Sequence, residues 1–411
     1  MTAGDISTTR PQPQRLRTAL VDQLSAQGII RTPSVMNALR AVPRHVLVPG
    51  VSLEEAYARH WPGEDGVLMP TEPTIAAIIL ELAQTLSGMR ILKIGSTTAY
   101  PSALLAHLTG LDGQVTSVNT DGDLAQAAIN QLSLTGYDAI RVLNGNAHDG
   151  CADGAPYDRL ISWNGMWDVP PAWLRQIAPD GRLVVPLRMH GSVYRVLAFT
   201  HTNDHWEAVA SEECTFARRL GGIADDPLTM VSLTTAGTVT LHLHRDQHVV
   251  AEKLLGVLNR TRSEFWTKVP ITFGHRSGDY SMLELFLSVS MRDGLSRMDA
   301  SMSAIDTGLV APMFPWGSMA VPGRNGDLAY LTLRPTGETV FGDPEFEIGV
   351  IGHGLGDHAL AGHLADQICL WERDYRHAPL RVALQRADSP QRITGTYELD
   401  RPNTLLAVSW G

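Results

Sequence analysis

The chain has 411 residues, 44% of them hydrophobic and 18% charged, with a formal net charge of -10. That length exceeds one ordinary core and predicts two or three domains, while an acidic balance without any Lys/Arg run excludes a general nucleic-acid binder. Three widely spaced cysteines, Cys151, Cys214 and Cys369, make neither a disulfide framework nor a zinc ligand set, and a reducing cytoplasm is the simplest setting. No stretch is long and apolar enough to span a bilayer. The first 17 residues lack an apolar signal core and read as a disordered lead-in. Leu16, Leu20, Val21 and Leu24 recur at helical spacing, and Gly28 ends that helix. A second helix starts at Pro33 and breaks at Pro43, before an extended segment to Pro49. A third runs from about Pro73.

From residue 89 strands alternate with helices. The strands are RILKI, QVTSVN, IRVLNG, DRLISW and RLVVPL, and the helices fall at 101–108, 122–135 and 171–177. Continuous apolar strands alternating with helices predict a parallel sheet covered on both faces. Two further strands joined at Thr202-Asn203-Asp204 read as a hairpin closing the sheet edge. Gly, Asp and Pro crowd residues 220–229, which marks a domain boundary. Beyond it, strands near 237–243, 267–272, 329–333 and 346–351, helices near 246–258, 281–290 and 356–374, and a last strand TLLAVSW predict a separate α+β domain. The predicted units are 1–85, 86–220 and 230–411.

In a doubly wound sheet a ligand sits at the carboxyl ends of the strands, where strand order reverses. Three segments report on that crevice: the loop Gly95-Ser96-Thr97-Thr98-Ala99 after Lys93, then Asn119-Thr120-Asp121, then Gly145-Asn146-Ala147-His148. The competing account is three ordinary turns, which favour the same residues. None of the fifteen histidines shows metal spacing.

The stretches VMNALRAVPRHVLVPG, PTEPTIAAIILELAQ, LTGYDAIRVLNGNAHDG, APYDRLIS and PPAWLRQIAPDGRLVVPL resemble, in order and spacing, the protein-L-isoaspartate O-methyltransferases. The second half is similar to the extra domain of a subgroup, the lanthipeptide-type (FxLD-system) methyltransferases, at DTGLVAPMFPWGSMAV, EIGVIGHG, WERDYR and LLAVSW. The resemblance implies a Rossmann-like class I methyltransferase α/β domain with N-terminal helices, plus a C-terminal α+β domain that recognises peptide. It implies S-adenosylmethionine as cofactor and, in the subgroup, an aspartate of a ribosomally made modified peptide as substrate. By the same resemblance Lys93, Gly95, Ser96, Thr97, Asn119, Thr120, Asn146 and Ala147 line the cofactor crevice. Thr71 takes the place of a serine beside the substrate carboxylate, its alternative being a helix cap ahead of Pro73. Glu72, Trp163, Trp167 and Trp316 are the candidate peptide contacts, each with a structural alternative.

The departures are specific. Lys93 stands where the family has Glu, Asn119 where it has an acid, Asn146 where it has Asp, and Thr97 and Ala99 where it has glycines. An amide cannot offer two charged acceptor oxygens, and a cation repels a sulfonium. Lys93 escapes that conflict only by turning away or by pairing with Asp121 or Asp158. Two functions follow: a carboxyl O-methyltransferase acting on peptide, or a degenerate relative that keeps the peptide groove without the cofactor.

Overall fold

The computed structural model describes residues 12–58, 72–214, 228–273, 279–355 and 359–411. The N-terminal helices are α1 (Gln12–Ala26), α2 (Pro33–Ala41), α3 (Arg44–Leu47), α4 (Leu53–Ala56) and α5 (Pro73–Ala83). Proline opens α2 and α5, where its missing N–H costs no hydrogen bond. The predicted extended segment after Pro43 is instead one helical turn, α3. Its Arg44 guanidinium is buried and Nε donates to Ala56 O at 2.8 Å, which ties the turn to α4.

The alternating region follows the prediction closely: β1 (Arg90–Ile94), α6 (Tyr100–Thr109), β2 (Gln114–Asn119), α7 (Gly122–Leu134), β3 (Arg141–Asn144), β4 (Tyr157–Ser162), α8 (Pro171–Gln176), β5 (Ile177–Arg188), β6 (Tyr194–Thr202) and β7 (His205–Glu213). β3, β2, β1, β4 and β5 are parallel neighbours in that order, and β6 and β7 continue antiparallel. Strand order reverses between β1 and β4, so the crevice opens at their carboxyl ends. Alternation assigns the faces. Leu92, Ile94 and Val118 pack into one core with α8, whereas Ile91, Val115, Ile161 and Trp163 pack into another with α1, α2, α5 and α6.

The second half contains β8 (Thr229–Ser232), β9 (Val239–Leu243), β10 (Thr261–Thr272), α9 (Asp279–Ser290), β11 (Ser296–Ala300), α10 (Met302–Asp306), β12 (Gly317–Pro322), β13 (Leu328–Val340), β14 (Asp343–Gly354), α11 (Ala359–Leu370), β15 (Leu380–Arg386), β16 (Tyr397–Asp400) and β17 (Thr404–Trp410). β8 to β14 make a seven-stranded sheet in the order β10-β14-β13-β12-β11-β9-β8. The helix predicted near 246–258 is two short 3-10 turns, Ala251–Lys253 and Val257–Asn259. Gly256 at φ +77° interrupts the segment between them.

The predicted boundary requires correction. Residues 215–227, which take in most of it, lie outside the described residues. More important, 230–411 is not a separate unit. β15 pairs with β7 at Ala383↔Glu207 and Leu384↔Trp206, and β17 and β16 follow, so one ten-stranded sheet draws on both halves. The hairpin β6–β7 therefore does not close the edge. One apolar cluster unites Leu183, Leu197 and Phe199 with Phe286, Leu364, Leu384 and Trp410. The sequence pattern hides this because β15 and β17 are short apolar strands and the partner strand β7 lies in the first half of the chain. Periodicity carries no pairing information.

Candidate cofactor crevice

The turn after β1 is built on backbone rather than on side-chain charge. Gly95 and Ser96 both take positive φ, +79° and +80°. Gly95 N–H bonds Val118 O at 3.0 Å, which anchors the turn to β2. Ser96 N–H donates to Asn164 Oδ1 at 3.0 Å, and Ser96 Oγ donates to Thr98 O at 3.1 Å. A Cβ on Gly95 would collide with Asn164 Oδ1, so glycine is required there twice, by φ and by space. Asn164 belongs to the loop after β4. Sequence reasoning missed it, although its place two residues past a parallel strand at the switch point is the signal that finds it.

Asn119 ends β2 nearly buried. Oriented so that its amide nitrogen faces carbonyl oxygens, it donates to Gly95 O at 3.1 Å and Ser96 O at 3.3 Å. It thus braces the loop, which a carboxylate in its place cannot do. Thr120 is exposed beside it. Thr97 is half-buried in the loop, and the Thr98 hydroxyl is buried with no hydrogen-bond partner among the described residues.

Lys93 sits on the same face of β1 as Ile91 and is 1% exposed. Its Nζ donates to Ser117 Oγ on β2 at 3.2 Å. Burial pulls its pKa down from 10.5 to about 7, because a low-dielectric site disfavours the charged amine. Neither expected acid pairs with it. Asp158 Oδ2 accepts from Arg90 N–H. Asp121 is committed as the cap of α7, accepting from Asp123 and Leu124 N–H.

The remaining candidates divide. Ala147 is buried, and its carbonyl accepts from Trp173 Nε1 at 2.8 Å. Asn146 is exposed, and its carboxamide serves its own turn through His148 N–H and Asp149 Oδ2. Thr71 lies outside the described residues. Glu72 occupies the N-cap position of α5 but makes no side-chain cap bond there, and its charge acts on the buried Arg44, which also lies 5.0 Å over the Tyr100 ring. Trp163 is no cleft wall: it is wholly buried in the core, with its N–H lacking a hydrogen-bond partner among the described residues. Trp167 is half-buried between Arg188 and Arg245, whose guanidinium carbons are 5.5 and 5.7 Å from its ring. Trp316 stacks on Phe314 at 5.3 Å and carries Arg297 at 3.9 Å, so its contacts belong to the second sheet. Within residues 306–321, Val310 and Ala320 lie in that sheet's core and β12 is central in the sheet, while Trp316 is exposed.

Comparison with known proteins adds identity to this geometry. Residues 15–219 match the family described as Protein-L-isoaspartate(D-aspartate) O-methyltransferase (PCMT). A protein-L-isoaspartate O-methyltransferase of Methanopyrus kandleri is 34% identical over 218 residues, 52% of this chain and 92% of the relative. One from Methanothermobacter thermautotrophicus is 29% identical over 213 residues, 52% of this chain and 94% of its own length. A solved protein-L-isoaspartate O-methyltransferase aligns over 89% of this chain and 96% of its own, at 17% identity and a TM-score of 0.46. Methyltransferases of this family use S-adenosylmethionine. With a parallel sheet reversing at β1 and β4, a glycine turn at that point and a relative covered almost end to end, this chain belongs to the protein-L-isoaspartate O-methyltransferase family.

Proposed function

We propose that the chain is a carboxyl O-methyltransferase that uses S-adenosylmethionine and acts on an aspartate of a ribosomally made, modified peptide. The observation that carries the reading is the turn Gly95–Ala99 at the switch point, held open by β2 and Asn164 as a backbone cradle. The residues present fit a polar ligand there. Thr98 Oγ1 is a buried polar atom without a hydrogen-bond partner among the described residues, and such a group is costly unless something satisfies it. When bound, S-adenosylmethionine supplies the methyl group as an electrophile.

The chain's own part is placement. A substrate carboxylate is ionised and nucleophilic at neutral pH, so no general base is needed to create the attacking oxygen. Gly95 and Ser96 shape the cradle, Thr98 offers a hydroxyl to it, and Asn119 and Asn164 fix the cradle's backbone. Thr71, by the family resemblance, would orient the carboxylate. Holding the two reactants in line accounts for most of the rate in such a transfer. The peptide substrate follows from the resemblance of the second half to the lanthipeptide-type subgroup.

One observation favours a second reading. Lys93 replaces a family acid with a buried amine, and Asn119 turns its amide onto the loop, so neither offers negative charge to a cationic ligand. On this reading the crevice is a relic and the chain holds peptide without methylating it. Calorimetric titration with S-adenosylmethionine at pH 8 separates the two. Micromolar binding is expected for the methyltransferase; no heat at millimolar ligand overturns it and leaves the peptide-holding scaffold.

A further inference from the structure

The hairpin β13–β14 outruns its sheet. β10 flanks it as far as Thr272↔Glu345, and beyond that point its two strands stand alone, paired at Thr339↔Pro344 and Val340↔Asp343. Residues 334–344 are all exposed. A two-stranded ribbon is marginal in water by itself, so a fold keeps one bare at a cost. The turn at its tip adds to that cost. Phe341 and Gly342 both take positive φ, +52° and +91°, as a type I′ turn requires. Gly342 suits its place. Phe341 does not, because Asn or Asp is favoured there and a bulky side chain in the left-handed region is strained. Its ring is also 92% exposed, with Val340 exposed beside it. Strain and a bare aromatic at one tip mark a contact surface.

A receiving surface lies at the root of the same arm. Phe346 packs on Phe273, Phe273 on Phe314 and Phe314 on Trp316, with ring centroids 6.0, 5.3 and 5.3 Å apart. Phe273 and Trp316 are exposed, and Tyr280, 5.5 Å from both Phe273 and Phe314, is buried. The row ends in a cation, Arg297, which lies 3.9 Å over Trp316. The arm carries the opposite charge. Glu338, Asp343 and Glu345 make no ion pair among the described residues, and its cation Arg334 is paired with Glu347. At about 3.3 Å per residue the stretch from Phe346 back to Phe341 carries the tip about 16 Å beyond the root, a reach comparable to the row of four rings. Arg195, at the start of β6, donates from Nη1 to Ser281 Oγ at 3.2 Å, next to Tyr280. β6 starts where β5 ends, so the row stands at the crevice end of the ten-stranded sheet.

We propose that the arm docks on a second copy of this chain, each Phe341 seating on the other copy's row of rings with the arm's acids toward Arg297. The tip is bare, so the arm does not fold onto its own row. Arm and row adjoin on one surface, which makes that patch self-complementary: an isologous two-fold pair uses both and closes at two. An anionic membrane is the poorer occupant, because the acids around the tip repel it.

Sedimentation velocity on the full chain, from micromolar to submillimolar concentration, tests the pairing. The wild-type mass should rise from that of one chain to twice that value and level there. Phe341→Asn gives the turn its favoured Asn-Gly pair, so the variant should melt no lower than the wild type. Its dimer dissociation constant should nonetheless rise at least about tenfold, as loss of a central aromatic anchor does. Trp316→Ala should weaken pairing similarly. In a mixture of the two, the first variant keeps a whole row and the second a whole tip, so one contact of the two is intact and the mixture should associate more tightly than either variant alone. A wild type that keeps the mass of one chain throughout overturns the pairing and leaves the tip to a different protein. Association undiminished in Phe341→Asn, or no recovery in the mixture, overturns the contact of arm on row. A mass that climbs past two chains without levelling overturns the two-fold closure. Should Trp316→Ala fail to fold, the wild type and Phe341→Asn decide the matter.

Discussion

At the scale of a single residue, Lys93 links stability to pH with a sign that can be worked out. In the unfolded chain its amine titrates near 10.5; in the fold, near 7. Between those values the unfolded state holds the proton and the native state does not, so this residue makes stability rise with pH across that window. Below about 7 the native protein carries the buried cation at its full cost. Lys93→Met keeps much of the length of the side chain and removes the charge. It should raise the melting temperature at pH 6.5, by an amount on the order of a few kcal/mol in stability, and the gain should shrink steadily toward pH 10. Thermal unfolding of both proteins at four pH values measures this. A gain that is the same at every pH would mean that apolar packing, not charge burial, is what the substitution changes.

At the scale of the element, the turn after β1 shows what sequence reveals and what it does not. The strand, the turn at Gly95 and the helix behind it are all legible, because an apolar run, a glycine and a helix-opening proline at Pro101 are local signals. So are β2, β4 and β5 and the helices between them. The partners of the turn are not legible. Asn164 lies 68 residues beyond Ser96 and reaches it only because β4 lies beside β1. The assignment of Asn119 as a cofactor contact rests on its family position; the structure shows its amide bracing Gly95 and Ser96 instead. Trp163 reads as a cleft residue because aromatics near a strand end often are, yet alternation along β4 sends it into the core with Ile161. Gly95→Ala tests the cradle directly. The left-handed backbone costs an alanine about 1–2 kcal/mol, and the new methyl also meets the Asn164 carboxamide. The loss in Gly95→Ala should therefore be smaller when measured in an Asn164→Ala background, the coupling expected of touching groups. Additive losses in urea unfolding would show that the two side chains do not meet.

At the scale of the whole molecule, the two halves are held by a polar knot as well as by a shared sheet and core. Asp168, in the loop after β4, is 1% exposed and accepts from Asn403 N–H at 2.7 Å, Asn403 Nδ2 at 2.8 Å and Thr404 Oγ1 at 2.6 Å. Arg401 donates to the carbonyls of Trp167, Arg188 and Met189. Arg188, fully buried, bonds Asp246 at 2.9 Å. The last strand of the chain is thus fastened to the loop that carries Asn164 and Trp167, and the second half bears on the crevice through that loop. Deleting residues 230–411 would leave the β7 edge and the apolar faces of β5 and β6 uncovered, so the truncated protein should aggregate or remain unfolded by circular dichroism rather than persist as a methyltransferase domain. A milder probe keeps the chain intact. Asp168→Ala strands these donors, together with Val169 N–H, which also bonds the carboxylate at 2.9 Å, at about 1–3 kcal/mol for each one left unsatisfied. It should lower the melting temperature sharply, whereas Asn403→Ala, which removes only one side-chain donor, should cost much less. The same knot predicts a functional effect beyond stability. At a temperature where Asp168→Ala is still folded, hydrogen exchange at the amides of 163–168 should quicken, since the loop has lost its fastening. Unchanged exchange there, with stability lost elsewhere, would separate the knot from the crevice and leave the second half no mechanical route to it through this loop.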